Sequence, residues 1–185
     1  MKAVIDTNVL LVANRQLVAN GQRDYVSNDC VTACVERLQA MQKSGVTVID
    51  NGFRILGEYL HKTQPNQPKG VGDVFLKELL RNANNPARVE QISLTQNAPD
   101  CFAEFPDPAL ESVFDAPDRK FAAVAHAHPD KPPVWQAADC KWLDWWPALQ
   151  TKGVTVEFLC PEDACRFYRK KFPDKPEPLL PGSQP

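Results

Sequence analysis

Long hydrophobic runs are missing from this sequence of 185 residues. The N-terminal segment is apolar in places, but Asp6, Asn8 and Arg15 interrupt it, and no positively charged leader or small-residue cleavage site accompanies it. An export signal or a membrane span would require such a run. We therefore expect no membrane partner and a cytoplasmic location.

A strong excess of one charge is also missing. The formal net charge is −2, whereas many domains that bind polyanions are strongly basic. Nucleic acid is not excluded, because divalent cations held by carboxylates would restore a positive potential where a phosphate binds. Apolar residues make up 43% of the chain and charged residues 24%, which excludes a fibrous or largely disordered protein.

The six cysteines include no tight CxxC pair. The pairs Cys30/Cys34 and Cys160/Cys165 have spacings that only loosely resemble those of zinc ligands, and both pairs lie in apolar patterns. A cytoplasmic protein keeps its thiols reduced. We therefore interpret the cysteines as small buried apolar residues rather than as a disulfide framework or a zinc site.

Short apolar or β-branched segments alternate with segments of helical periodicity. Strands are expected at residues 3–5, 46–49, 134–137 and 154–159, and helices at residues 27–44, 55–60, 71–80 and 118–125. Residues 89–108 suggest a peripheral strand or an extended loop. The pattern predicts one three-layer α/β/α domain over residues 1–172, with a central, mostly parallel sheet of about five strands. A proline-rich tail, residues 173–185, is expected to be mobile.

Four acidic residues fall where such a sheet would gather them. Asp6 and Asp139 each follow an expected strand, Glu58 lies within a helix, and Asp118 opens another helix. Sites in open α/β sheets form beyond the carboxyl ends of the strands, where the strand order reverses. Clustered carboxylates bind hard divalent cations such as Mg²⁺, which are the cations that phosphate hydrolysis uses.

Four segments around these acids resemble the PIN-domain family of nucleases. They are VIDTNVLL around Asp6, RILGEYL around Glu58, DRKFAAVA from Asp118 and AADCKWLDW around Asp139, and they occur in the order of the family. The resemblance implies a nuclease whose four acids are catalytic and hold Mg²⁺ or Mn²⁺. It also implies an endoribonuclease of toxin–antitoxin type, with RNA favoured over DNA, an antitoxin or other protein partner, and a homodimer.

Further residues near the four acids admit alternative roles. Thr7 and Asn8 follow the first acid at an expected turn, where they would either orient a carboxylate or metal-bound water or simply cap the turn. Lys141 stands where members of the family often place another acid, which puts a second metal ion in doubt. Asp144 is a weak replacement, and Asp115 would share the site or, as we favour, cap the helix that follows.

Two other features admit a role with nucleic acid. A tryptophan cluster after the fourth acid would stack an unpaired base or pack a helix on the sheet, and packing is the default explanation. A basic cluster after the last strand would contact a phosphate backbone or form a solvated helix face. The alternatives to an RNA nuclease are a DNA-directed nuclease and a scaffold without catalysis. The members of the two clusters are Trp142, Trp145, Trp146, Arg166, Arg169, Lys170 and Lys171.

Overall fold

The computed structural model describes residues 1–15, 18–19 and 24–182 of the chain. Its strands are β1 (Lys2–Ile5), β2 (Val18–Ala19), β3 (Asp24–Tyr25), β4 (Val46–Asp50), β5 (Val89–Ile92), β6 (Gln96–Ala98), β7 (Cys101–Phe102), β8 (Val134–Gln136) and β9 (Val156–Phe158). Its α-helices are α1 (Thr7–Ala13), α2 (Asn28–Ser44), α3 (Arg54–Lys62), α4 (Val71–Arg81), α5 (Pro108–Glu111), α6 (Arg119–Ala127), α7 (Trp142–Thr151) and α8 (Pro161–Lys171). A single 3₁₀ turn, Ala116–Asp118, precedes α6.

A central sheet of five strands has the spatial order β5–β4–β1–β8–β9, and every neighbouring pair is parallel. The predicted α/β class with about five mostly parallel strands is confirmed. The weakly alternating segment after residue 89 contributes the edge strand β5 and the separate antiparallel pair β6–β7. Strands β2 and β3 form a second small antiparallel pair.

Helices cover the sheet because its strands are apolar on both faces. Val4 and Ile5 of β1 and Val48 and Ile49 of β4 are fully buried, as expected for parallel strands between helical layers. Helix α6 packs on β1, β4 and β8, whereas α1, α2 and α4 pack on one another. No helix in the described ranges is long and apolar enough to cross a bilayer.

The strand order reverses between β1 and β8. From β1 the chain moves outward to β4 and β5, and it then returns to the other side of β1 to form β8 and β9. The register pairs Val4 with Val134 and Ile5 with Trp135, so the carboxyl ends of β1 and β8 lie side by side. This is the position at which open α/β sheets bind their ligands.

Helix α1 was not expected. We predicted a polar turn after the first strand, and this prediction is wrong because Asp6 acts as the N-cap of a helix that begins at Thr7. The Asp6 carboxylate accepts a hydrogen bond of 2.8 Å from the backbone N–H of Asn8. Such a cap satisfies one of the amide groups that the first turn of a helix leaves unpaired.

A second aspartate starts helix α3. The fully buried Asp50 accepts hydrogen bonds from the backbone N–H groups of Arg54 at 3.0 Å and of Ile55 at 2.9 Å. Phe53, immediately before the helix, has a left-handed backbone with φ of 57°. The carboxylate at the end of β4 thus fixes the direction of α3, which carries Glu58.

Helices α1 and α4 approach closely at Gly72. A Cβ atom on this residue would lie 2.2 Å from the carbonyl oxygen of Leu10. We expect Gly72→Ala to lower the free energy of unfolding by about 2 kcal/mol or more, because neither backbone yields easily. Gly57→Ala is the matched control: no described heavy atom outside its own helix turn lies within 4 Å, and alanine favours helices, so stability is retained or gained. Urea unfolding of both variants measures the difference.

One disulfide contradicts our interpretation of the cysteines. Cys30 and Cys160 form a disulfide that links α2 to the residue before α8. The two residues lie 130 positions apart, and only the packing of α2 beside the end of β9 brings them together. The interpretation as small buried residues holds for the free thiols of Cys34, Cys140 and Cys165.

The proline-rich tail is described as far as residue 182, and residues 183–185 lie outside the described part of the chain. Its backbone accepts a hydrogen bond of 2.9 Å at Leu179 from the indole N–H of Trp146. Leu180 packs against the core, and Glu177 pairs with Arg169 at 2.5 Å. The tail therefore contacts α7 and α8, and its mobility stays a prediction.

Candidate functional site

Asp6 and Asp139 occupy the crevice at the reversal of strand order. Asp6 directly follows β1, and its backbone N–H donates to the carbonyl of Trp135 in β8 at 2.9 Å. Asp139 lies three residues beyond the end of β8, and its carboxylate accepts from the backbone N–H of Lys141 at 3.1 Å. Asp6 is almost completely buried, whereas Asp139 is partly accessible. Both carboxylates thus face the same edge of the sheet from adjacent strands.

Glu58 reaches this edge from helix α3. One carboxylate oxygen accepts a hydrogen bond of 2.6 Å from the hydroxyl of Thr7, and the other pairs with the ammonium of Lys120 at 2.5 Å. Thr7 therefore orients a carboxylate, which is one of the two roles considered for it. Asn8 contributes its backbone N–H, which donates a hydrogen bond to the Asp6 carboxylate and holds it in place.

Asp118 reaches the site from the 3₁₀ turn before α6. It opens the helix as expected, but its side chain makes no capping hydrogen bond with the described residues. The carboxylate is partly accessible to solvent. It is therefore available to a ligand rather than committed to its own helix.

Asp6 and Asp118 experience the charges of neighbouring carboxylates in this group. Burial, together with the charges of Asp139 and Glu58, raises the pKa of Asp6 to about 7, against the lowering effect of the Asn8 N–H and Lys120. Burial and the charges of Asp6, Asp139 and Glu58 hold the pKa of Asp118 well above its usual value. The pKa of Asp139 is also raised, chiefly by burial. Raised carboxylate pKa values of this origin mark a site that lacks positive charge.

Lys120 is the nearest source of that charge. Its side chain is buried, pairs with Glu58 and also donates to the carbonyl of Pro117. Its charge lowers the pKa of both Asp6 and Asp118. One ammonium cannot neutralise four carboxylates, so the donor set fits an additional hard cation with oxygen ligands.

The oxygens of the four acids do not converge on one point. Among the described residues, no three of these carboxylates have ligand oxygens that all lie within 4.8 Å of one another. Glu58 is turned toward Thr7 and Lys120 instead. Binding of a cation by several of the acids therefore requires side-chain rotation, above all of Glu58.

The remaining candidate acids lie in ion pairs outside this cluster. Asp115 is the N-cap residue of the 3₁₀ turn, as favoured, but its side chain pairs with Lys141 and makes no capping hydrogen bond with the described residues. Asp144 accepts from the Tyr168 hydroxyl at 2.6 Å and faces Lys175 at 3.6 Å. The charges that act most strongly on the pKa of Asp6 and Asp118 come from other acids of the cluster and from Lys120 instead. Lys141 thus neutralises a nearby aspartate where the family often has an acid.

The effect of two lysines on the acids was not predicted from the sequence. Lys120 was quoted only as part of a helix, because its burial beside Glu58 depends on how α3 and α6 pack. Lys171, at the end of α8, lowers the pKa of Asp139 through its charge. It had been grouped with a basic cluster, of which Arg166 pairs with Asp163 and Arg169 with Glu177. Lys171 thus acts on the acidic site through Asp139.

The tryptophans do not provide a platform for stacking a base. Trp142 and Trp145 are buried and pack on Phe114, with ring centroids 5.2 Å and 4.0 Å away respectively. Trp146 is partly exposed and contacts the tail. The cluster packs α7 against the domain, as the default explanation held.

Comparisons of this chain with protein-family models, with curated proteins and with solved structures found no match. The resemblance to PIN domains therefore rests on the four sequence segments alone.

Proposed function

We propose that this protein is a metal-dependent phosphodiesterase that hydrolyses nucleic acid. The observation that carries the proposal is the electrostatic grouping of four carboxylates, from four separate elements, at the reversal point of the sheet. Burial raises the pKa of three of them, Asp6, Asp118 and Asp139, and neighbouring carboxylates raise the pKa of Asp6 and Asp118 further. Such an arrangement is costly to a protein unless a cation compensates for it, which supports a catalytic rather than a structural purpose.

Asp6, Glu58, Asp118 and Asp139 are the residues that would hold Mg²⁺ or Mn²⁺. When bound, such an ion activates a water molecule and stabilises the charge that develops on the phosphate and the leaving oxygen. The Thr7 hydroxyl orients Glu58, and the Asn8 N–H holds Asp6 in place. Lys120 neutralises Glu58. Rotation of Glu58 away from Lys120 would leave that ammonium free to contact a phosphate oxygen.

The substrate class follows from charge and from the family resemblance. A phosphodiester is repelled by bare carboxylates, so its binding depends on the cation and on the lysines beside it, Lys120 and Lys171. RNA is the substrate we favour over DNA. The toxin–antitoxin setting, with an antitoxin partner and a homodimer, is part of the same proposal and rests on the resemblance.

A panel of substrates tests the proposal. Single-stranded RNA, structured RNA, single-stranded DNA and duplex DNA are incubated with the full chain and Mg²⁺ or Mn²⁺, with and without a chelator. We expect cleavage of RNA that the chelator abolishes. Cleavage of DNA alone would assign the DNA-directed alternative, and no cleavage of any substrate with either ion would overturn the proposal.

A scaffold without catalysis is the second candidate. It is favoured by the ion pair of Lys120 with Glu58, which reduces the negative charge available to a cation, and by Lys141, which stands where the family often places another acid. Calorimetric titration with Mn²⁺ separates the two functions. A scaffold gives no heat of binding and is unaffected by Glu58→Gln. A nuclease gives saturable heat, and this substitution lowers its affinity for Mn²⁺ by about tenfold.

A further inference from the structure

Three cysteine sulfurs lie close together inside the domain, and none of them belongs to the acidic site. Cys30 and Cys34 lie one turn apart on α2, and Cys160 immediately precedes α8. Cys30 and Cys160 form the disulfide, while the Cys34 sulfur lies 3.8 Å from that of Cys160. All three sulfurs lie within 4.8 Å of one another, and all three residues are buried.

A disulfide explains two of these sulfurs but not the third. Zinc–thiolate bonds of about 2.3 Å in a tetrahedral site place the sulfurs about 3.8 Å apart. The separation of Cys34 and Cys160 has this value. When the Cys30–Cys160 bond is reduced, the Cys30 sulfur begins within 4.8 Å of the Cys34 sulfur and must move away from the Cys160 sulfur to reach a similar spacing.

The N-termini of two helices favour negative charge on the cysteine sulfurs. Cys30 lies in the first turn of α2, and Cys160 is the N-cap residue of α8. The partial positive charge at a helix N-terminus stabilises a thiolate. Three thiolates binding one divalent cation carry a net negative charge, which these two helix ends would partly offset.

Contacts other than the disulfide also join the two cysteine-bearing segments. The buried Asp163 of α8 accepts hydrogen bonds from the backbone N–H and the hydroxyl of Ser27, at 2.7 Å and 2.8 Å. Arg37 of α2 also pairs with Glu157 of β9. Reduction therefore leaves the three sulfurs beside one another rather than releasing them, so little entropy is lost when an ion binds.

We propose that Cys30, Cys34 and Cys160 form a site for one thiophilic divalent cation of the Zn²⁺ class, which is available only when the disulfide is reduced. An external dithiol supplies two electrons and two protons to the Cys30–Cys160 bond and becomes a disulfide itself. The cation then binds the three sulfurs and releases their three protons. The fourth position of a tetrahedral ion falls to a non-protein ligand, because the described residues add no fourth side chain to this group.

Internal disulfide exchange is the competing role for the third cysteine. It would require Cys34 to attack Cys160 as a thiolate, and it would exchange one disulfide for another without binding a cation. A bound cation, in contrast, displaces the thiol proton directly. The cluster therefore connects α2 to α8 in either redox state, by a covalent bond when oxidised and through a metal ion when reduced.

Titration of the full chain with Cd²⁺, a spectroscopic stand-in for Zn²⁺, tests the proposal. After reduction by a phosphine, we expect ultraviolet sulfur-to-cadmium charge-transfer absorbance that saturates at one ion per chain. The unreduced protein should give none. Cys34→Ser should weaken the binding by at least about tenfold and lower the saturating absorbance by roughly a third, since one of three thiolates is lost. Cys165→Ser, which removes a buried thiol outside the group, should titrate like the wild type.

Absence of the absorbance in the reduced wild type would overturn the proposal, as would identical titrations of the wild type and Cys34→Ser. Cys34→Ala serves as a second variant, and thermal unfolding of both oxidised variants checks that they fold. Asp6→Asn should leave the cadmium titration unchanged, because carboxylates give no such absorbance. Failure of the thiolate site is thereby distinguished from failure of the proposed nuclease.

Discussion

Asp6→Asn and Asp139→Asn are each expected to lower metal-dependent cleavage by about a thousandfold, which corresponds to about 4 kcal/mol of lost stabilisation of the transition state. Asparagine keeps the size of the side chain and one oxygen, but it removes the charge that a hard cation requires. The side-chain oxygen that remains at position 6 still accepts a hydrogen bond from the Asn8 N–H, so helix α1 keeps its cap. Initial rates with Mn²⁺ on the preferred substrate measure the effect.

Asp144→Asn is the matched control for this loss. Asp144 is also an acid close to Asp139 in sequence, but it is bound by Tyr168 and lies near Lys175 rather than facing Asp6. Its variant should cleave at a rate close to that of the wild type. Metal-dependent cleavage that survives both Asp6→Asn and Asp139→Asn would rule out the acidic cluster as the catalytic site.

The metal-free protein is expected to lose stability as the pH rises toward neutrality. Burial and neighbouring carboxylates raise the pKa of Asp6 to about 7, so the folded state binds a proton that the unfolded state has already released. The stabilisation is complete below the pKa of the unfolded chain, near 4, and is lost as the pH rises through the folded value. Asp6 alone accounts for a loss on the order of 4 kcal/mol, and the raised pKa values of Asp118 and Asp139 act in the same direction.

Urea unfolding with a chelator present, at intervals between pH 4 and pH 8, measures this loss. Asp6→Asn isolates the contribution of one carboxylate, because its side chain is neutral throughout: relative to the wild type it should become more stable as the pH rises. Addition of Mn²⁺ at pH 8, at about a hundred times its dissociation constant, should restore about 2.7 kcal/mol to the wild type. A wild type and an Asp6→Asn variant with parallel pH profiles would contradict the prediction.

The main elements of the sheet could be predicted because their signals are local. Val46–Asp50 is β-branched and lies between turn residues, and α2 shows helical periodicity over seventeen residues after a serine cap. Helix α1 was missed because it has only seven residues and begins with a polar group that resembles a turn. Whether Asp6 ends a strand or caps a helix depends on the direction that the chain takes next.

The residues of the acidic site could be predicted from the sequence, but their hydrogen bonds and ion pairs could not. The order of the four acids along the chain indicated which residues would be gathered. The hydrogen bond between Thr7 and Glu58 joins residues 51 positions apart, and the ion pair between Lys120 and Glu58 joins residues 62 positions apart. No local pattern reports such contacts. The same holds for the Lys141–Asp115 pair, which occupies the side chain expected to cap the helix.

By itself, then, the sequence determined the α/β class, the parallel sheet and the positions of four candidate acids, because side-chain periodicity and turn residues act over a few positions. Only the tertiary structure decided that β1 and β8 are neighbours, that burial of Asp6 raises its pKa, and that Cys30 meets Cys160. Burial and electrostatic repulsion depend on distances in space between segments that are remote along the chain. Those distances follow from the packing of the helices on the sheet.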